Sequence, residues 1–186
     1  YKDLGRYDEA EPLLESGLAT IERSADPGTI ATARLNLAEV QRLQGRPEEA
    51  VMLYRKSLEG ARAAHGPAHP DLVPFLNQTA VCEQAVGRYA RAESLYLETG
   101  SIVAATLGPE HPLVAQNLGD LATLRIAEGR AVEADTLLGR AIALRERTPG
   151  QDHPDVALLL VERARVRAPR DPAVAASWRE RAIRIL

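Results

Sequence analysis

A step of 42 residues runs through the sequence and limits what this chain can fold into. Four segments align on a glycine: Gly5-Arg-Tyr-Asp-Glu-Ala10, Gly45-Arg-Pro-Glu-Glu-Ala50, Gly87-Arg-Tyr-Ala-Arg-Ala92 and Gly129-Arg-Ala-Val-Glu-Ala134. The glycines lie 40, 42 and 42 residues apart. His69-Pro70, His111-Pro112 and His153-Pro154 keep the same 42-residue step, and Gly66-Pro67, Gly108-Pro109 and Gly150 stand three residues ahead of each. Markers held in register over most of a chain mean a stack of similar units, each burying its apolar face only against its neighbours.

Each unit reads as two helices. Pro70, Pro112 and Pro154 suit a first helical turn, where a missing N–H costs nothing. The first helix carries Ala38, Ala80 or Ala122, seven residues before its glycine, and Gly45, Gly87 or Gly129 then ends it in a left-handed turn. Asp8-Glu9 and Glu48-Glu49 open two of the second helices, where negative charge complements the helix dipole. Leu13-Leu14, Leu53-Tyr54, Leu95-Tyr96 and Leu137-Leu138 recur at one phase, with Leu18, Leu58 and Ile142 about a turn later, an apolar stripe of helical period. No run alternates with a period of two, so the expectation is all-α with no sheet. Helix pairs are predicted to start near Gly28, Pro70, Pro112 and Pro154, after a lone helix around Asp8 to Arg23. Ala38, Ala80, Ala122 and Ala164 are expected to be buried where helices touch.

The pattern resembles the tetratricopeptide repeat, whose helix-turn-helix units have a period of about 34 residues. The longer step, with Gly-Arg-Tyr-x-x-Ala, Leu-Tyr and Gly-Pro-x-His-Pro, resembles the kinesin-light-chain subclass. The resemblance covers residues 1 to 186 and implies a single array: a second helix of a truncated repeat over 1–26, repeats over 27–68, 69–110 and 111–152, and a degenerate last repeat over 153–186. It implies about nine helices in a right-handed α-α superhelix. Two places depart from the pattern: Asp26-Pro27-Gly28 replaces one linker, and Ala168-Pro169-Arg170-Asp171-Pro172 replaces the last Gly-Arg-Tyr turn. Because the sequence opens inside a repeat and ends at Ile183, Ile185 and Leu186 without a polar capping helix, a piece of a longer array is expected.

Charge and composition then exclude several functions. A net charge of −3 provides no cationic excess with which to hold nucleic acid. No apolar stretch reaches the roughly 20 residues that span a bilayer, the strongest being Val156 to Val161, and the opening residues do not read as a secretory leader. The lone Cys82 can form no intrachain disulfide, which suits a cytoplasmic setting. Lys2 and Lys56 are the only lysines against many arginines, a bias met in GC-rich bacterial genomes.

No catalytic, metal or cofactor site is expected. The linker histidines recur once per repeat, so they are translated along the stack instead of converging on one ion; their expected role is to cap the next helix. His65 and His69 are four apart, with Gly66-Pro67 breaking any helix between them. Cys82 reads as a small buried hydrophobe. The run Arg163, Arg165, Arg167 and Arg170 reads first as a solvated face and second as a dock for an acidic segment.

What remains is the concave groove, which the resemblance assigns to the first helices. By phase from each glycine, the residues facing it include Asn36, Glu39 and Arg42, then Asn77, Gln78, Val81 and Gln84, then Gln116, Asp120 and Thr123. Side-chain amides offer both donor and acceptor to an extended peptide. The expected function is therefore a scaffold that binds a partner protein or peptide in this groove, not an enzyme. Two alternatives stay open: a regulatory or sensor segment of a larger signalling protein whose catalytic domain lies elsewhere, and self-association through the uncapped end from Trp178 to Leu186. Because the lane includes Glu39 and Asp120, a preference for acidic peptides does not follow from the resemblance.

Overall fold

The computed structural model describes residues 7–147 and 152–186. The expectations placed on Gly5 and Gly150 lie outside the described residues. Among those described there are nine α-helices and no strand: α1 (Tyr7–Ile21), α2 (Pro27–Leu43), α3 (Pro47–His65), α4 (Val73–Ala85), α5 (Tyr89–Leu107), α6 (Pro112–Ala127), α7 (Ala131–Arg147), α8 (Pro154–Arg167) and α9 (Pro172–Ile185). A 3₁₀ turn over Pro70–Leu72 leads into α4. The chain divides into two compact units, Tyr1–Ile102 and Val103–Leu186, with the division inside α5.

Helix starts and stops follow from side-chain chemistry. Ahead of α4, α6 and α8 the imidazole Nδ1 of His69, His111 and His153 accepts the backbone N–H of Asp71, Leu113 and Asp155, at 3.3, 3.2 and 3.2 Å. Each histidine thus satisfies one of the orphan donors of a first turn. Where the repeat departs from His-Pro, Asp-Pro serves instead. Asp26 accepts from the N–H of Thr29 at 3.0 Å ahead of α2, and Asp171 from that of Val174 at 3.1 Å ahead of α9. At the far end of α4, Gly87 takes a φ of 75° that a Cβ would strain. There the N–H of Arg88 reaches the Glu83 carbonyl at 2.8 Å and that of Gly87 the Gln84 carbonyl at 3.0 Å, the paired bonds of a Schellman end. α2 and α6 close with the same two bonds.

Within the first unit, Ala38 of α2 lies in one cluster with Ala50, Val51 and Tyr54 of α3 and Cys82 of α4. A second cluster joins Ala31, Leu58, Leu72, Phe75, Leu76 and Ile102. In the second unit, Ala122 of α6 packs with Ala134 and Leu138 of α7, and Leu160 of α8 with Ala182 of α9. Ala38, Ala80, Ala122 and Ala164 are all fully buried, as the spacing predicts. Small side chains at these points allow the helices to approach closely, and a bulkier one would force them apart. The second residue of each Leu-Tyr pair is the inward one: Tyr54, Tyr96 and Leu138 are buried, whereas Leu13 of α1 faces outward.

Candidate functional site

In the second unit, Gln116, Asp120 and Thr123 occupy successive turns of α6 and line a single cavity of about 320 Å³. The opposite wall comes from α8, through Asp155, Leu158, Leu159 and Glu162, and Arg145 of α7 closes one side. Most charged groups here are already matched. Arg145 pairs with Asp155 at 3.1 Å and Glu162 with Arg165 at 2.8 Å. The Thr123 hydroxyl donates to the Gly119 carbonyl at 3.1 Å. Asp120 alone among the lining acids makes no hydrogen bond or ion pair to a described residue. Burial between the two helices pushes its carboxyl up to about 6, because the charged form loses hydration that nothing replaces.

The α8 wall escaped the phase argument, although the 42-residue step carries the signal for it. Asp120 plus one step is Glu162, and Gln116 plus one step is Leu158. One step back from Asp120 is Gln78, and one more is Asn36, so Asn36, Gln78, Asp120 and Glu162 are equivalent positions on four first helices.

The expected groove residues of the first unit fare differently. Asn36 is exposed on α2 and lines another cavity, of about 670 Å³, with Asp26, Thr32, His65, Asp71 and Phe75. Glu39 and Arg42 are committed to each other by two bonds of 2.8 and 2.9 Å, and Glu39 also accepts the Tyr54 hydroxyl at 2.6 Å. Burial, and then the bond to Glu39, holds the Tyr54 phenol well above its usual range. These two residues build α2 onto α3. Gln84 accepts from the Tyr96 hydroxyl at 3.4 Å. Gln78 is half-buried and Val81 exposed on α4. Asn77 has a buried amide oxygen without a hydrogen-bond partner, a costly arrangement that a ligand or water would relieve.

The other candidates resolve on local chemistry. The Cys82 thiol is buried, donates to the Pro47 carbonyl at 3.3 Å and is pushed up to about 11 by that burial, so it is no nucleophile at neutral pH. The turn at Gly66-Pro67 stacks His65 on His69 with ring centroids 5.3 Å apart instead of separating them. With Asp71 they form a trio whose donor atoms lie within 4.8 Å of one another. However, the Nδ1 lone pair of His69 already caps the next turn, as in the other two linkers, and coordination through either ring nitrogen would disturb that bond. The arginine run is matched only in part: Arg163 and Arg167 share Asp135 of α7 at 2.9 and 3.1 Å, and Arg165 holds Glu162. Arg163 also lies 4.3 Å over the Trp178 ring. Four arginines against two carboxylates leave the run positive, with Arg170 exposed.

The tetratricopeptide-repeat profile matches residues 1–63 and 29–99, and a second profile of the same description matches residues 117–155. The chain belongs to the tetratricopeptide-repeat family. The crystal structure of a Podosopora anserina protein described as a kinesin light chain with nearly identical TPR-like repeats aligns over 100% of this chain and 89% of that one, with 26% identity and a TM-score of 0.85. The crystal structure of BtubC (BKLC) from P. vanneervenii aligns over 99% of this chain and 74% of that one, with 23% identity and a TM-score of 0.85. No curated protein sequence matches the chain. The tetratricopeptide array is thus of the kinesin-light-chain-like subclass, and its general role is that of a protein-interaction scaffold. Among the described residues no helix is long and apolar enough to cross a membrane.

Proposed function

We propose that this tetratricopeptide protein binds an extended segment of a partner protein along the exposed face of its first helices, and that it performs no catalysis of its own. The observation that carries this reading is the α6–α8 cavity, where Gln116, Asp120 and Thr123 stand opposite Leu158, whose side chain is largely exposed at 61%. Polar groups able to satisfy a peptide backbone beside an unfilled apolar surface are the two needs of peptide docking. Gln116, Asp120, Thr123, Asn36, Asn77 and Gln78 remain the residues for this role, whereas the mutual pairing of Glu39 with Arg42 argues for a structural one. The 42-residue step from Gly45 through Gly87 to Gly129 supports one array with repeats at 27–68, 69–110 and 111–152, and a buried thiol at Cys82 fits the cytoplasm.

A displayed library of random dodecapeptides, selected on the 186-residue chain, tests the reading. Selected peptides are expected to weaken by about tenfold or more on Gln116→Ala with Leu158→Ala, since losing one buried partner costs roughly 1–3 kcal/mol. The melting temperature is expected to hold, and Arg140→Ala on the exposed face of α7 should leave binding unchanged. Binding that falls with Arg140→Ala and survives the cavity pair would place the site elsewhere.

A further inference from the structure

From the α6–α8 cavity we infer that the partner segment inserts an arginine side chain here, with its guanidinium against Asp120. This rests on the peptide-docking reading above and adds the chemistry of the partner. The acids lining the cavity are Asp120 from α6 and Asp155 and Glu162 from α8, whereas Arg145 from α7 is the one lining base. Arg145 is engaged by Asp155, and Glu162 by Arg165. His153 stands 3.7 Å from Asp155 and so belongs to the same outer pair. The local balance is negative, and the unmatched charge is Asp120.

Nothing in the fold calls for a carboxylate at this position. The equivalent residues one and two steps earlier are the neutral Gln78 and Asn36, which keep the same helix turn without a charge, and the acid one step later, Glu162, has Arg165 as its counter-charge where Asp120 has none. An uncompensated, partly desolvated carboxylate is unfavourable by itself, and such violations of an otherwise consistent sequence concentrate at binding sites. Its complement is a cation that also gains from leaving water. Ala115, Leu138, Leu158 and Leu159 supply apolar walls for an alkyl stem. Arginine fits this combination better than lysine, because its guanidinium is less strongly hydrated and meets a carboxylate with two parallel donors. The desolvation that raises the Asp120 carboxyl to about 6 agrees with this reading, since a bound cation would reverse that shift.

The test is an NMR titration of the ¹⁵N-labelled 186-residue chain at pH 7.5 with N-acetylarginine amide, N-acetylleucine amide and N-acetylglutamate amide. The arginine probe is expected to shift the amides of Gly119, Asp120, Leu158 and Glu162 saturably, and at least about tenfold more tightly than either other probe, as one charge-assisted bond allows. Asp120→Asn is expected to abolish that preference and Asp120→Glu to retain it, with unchanged spectral dispersion elsewhere showing that both variants fold. Lowering the pH to 5 should weaken the arginine probe as Asp120 takes up its proton. Equal affinity for leucine and arginine overturns the inference and leaves peptide docking standing. Full binding of arginine to Asp120→Asn, or no shift with any probe, also overturns it. Failure of docking itself would appear separately, in the peptide selection, which requires no basic residue.

Discussion

Asp120 is costly to the fold at neutral pH, and the cost grows as its carboxyl ionises. Its folded carboxyl titrates at about 6, above the roughly 3.9 of an unperturbed aspartate, so between those values the folded chain holds more protons than the unfolded one. Stability therefore falls as the pH rises through that window, and the full penalty, on the order of 2–3 kcal/mol, stands above it. Asp120→Asn should accordingly stabilise the chain by about 1–3 kcal/mol at pH 7.5, allowing for an amide that is itself half-buried, with the gain shrinking toward pH 4. Urea denaturation of both proteins at the two pH values checks this. A gain that does not change with pH would mean the carboxylate is not desolvated. The phase of the repeat was enough to place Asp120, Gln116 and Thr123 on one face of α6. It could not reveal that Asp120 lacks a counter-charge, because the other walls of its cavity come from residues 18 or more positions further on, Leu138, Arg145, Asp155 and Glu162 among them. Nor does phase show that Glu39 and Arg42 are bonded to each other, since that bond and the reach of the Tyr54 hydroxyl depend on side-chain geometry.

Helix ends in this chain are set by short motifs, which is why they can be read from the sequence. His-Pro and Asp-Pro each pair an acceptor side chain with a residue that has no N–H to satisfy, and both end at a first helical turn. The two linkers that depart from the repeat therefore keep its physics: Asp26 and Asp171 cap as the histidines do, though they reach one residue further into the helix. This equivalence is open to a swap. His111→Ala should cost about 0.5–2 kcal/mol, the usual loss for a removed N-cap, and His111→Asp should restore most of it. Thermal melts of the two variants decide the matter, and an aspartate no better than alanine would show that the imidazole acts through packing instead. Gly66-Pro67 does break the helix after His65, yet the turn then folds His65 onto His69, a proximity that depends on the path of the turn and not on the break.

The division of the chain inside α5 has no counterpart in the sequence: the step from Gly87 to Gly129 is the same 42 residues as the one before it, and no Pro-, Gly- or Ser-rich linker marks residue 102. A repeat specifies what each helix packs against locally, and carries no mark of where the chain divides. Energetics should follow the same local logic. Leu138 of α7 is buried in a cluster with Ala122 and Ala134, against Ile126, Leu137, Leu159 and Val166, so its neighbours all lie on α6, α7 and α8. Leu138→Ala removes three carbons from that cluster and should cost roughly 2–5 kcal/mol, according to how far the site can collapse. In an array held by nearest-neighbour contacts this loss is not shared evenly. Native-state hydrogen exchange should show the amides of α6, α7 and α8 opening more readily, while those of α2 and α3, with cores around Ala31 and Ala38, keep their protection. An equal fall in protection across all of these helices would mean that the chain opens as one cooperative block, and the local picture would have to be given up. If the loss is confined as expected, a partner segment seated between α6 and α8 would stiffen that stretch first, and its binding would be read out as protection gained in the same three helices.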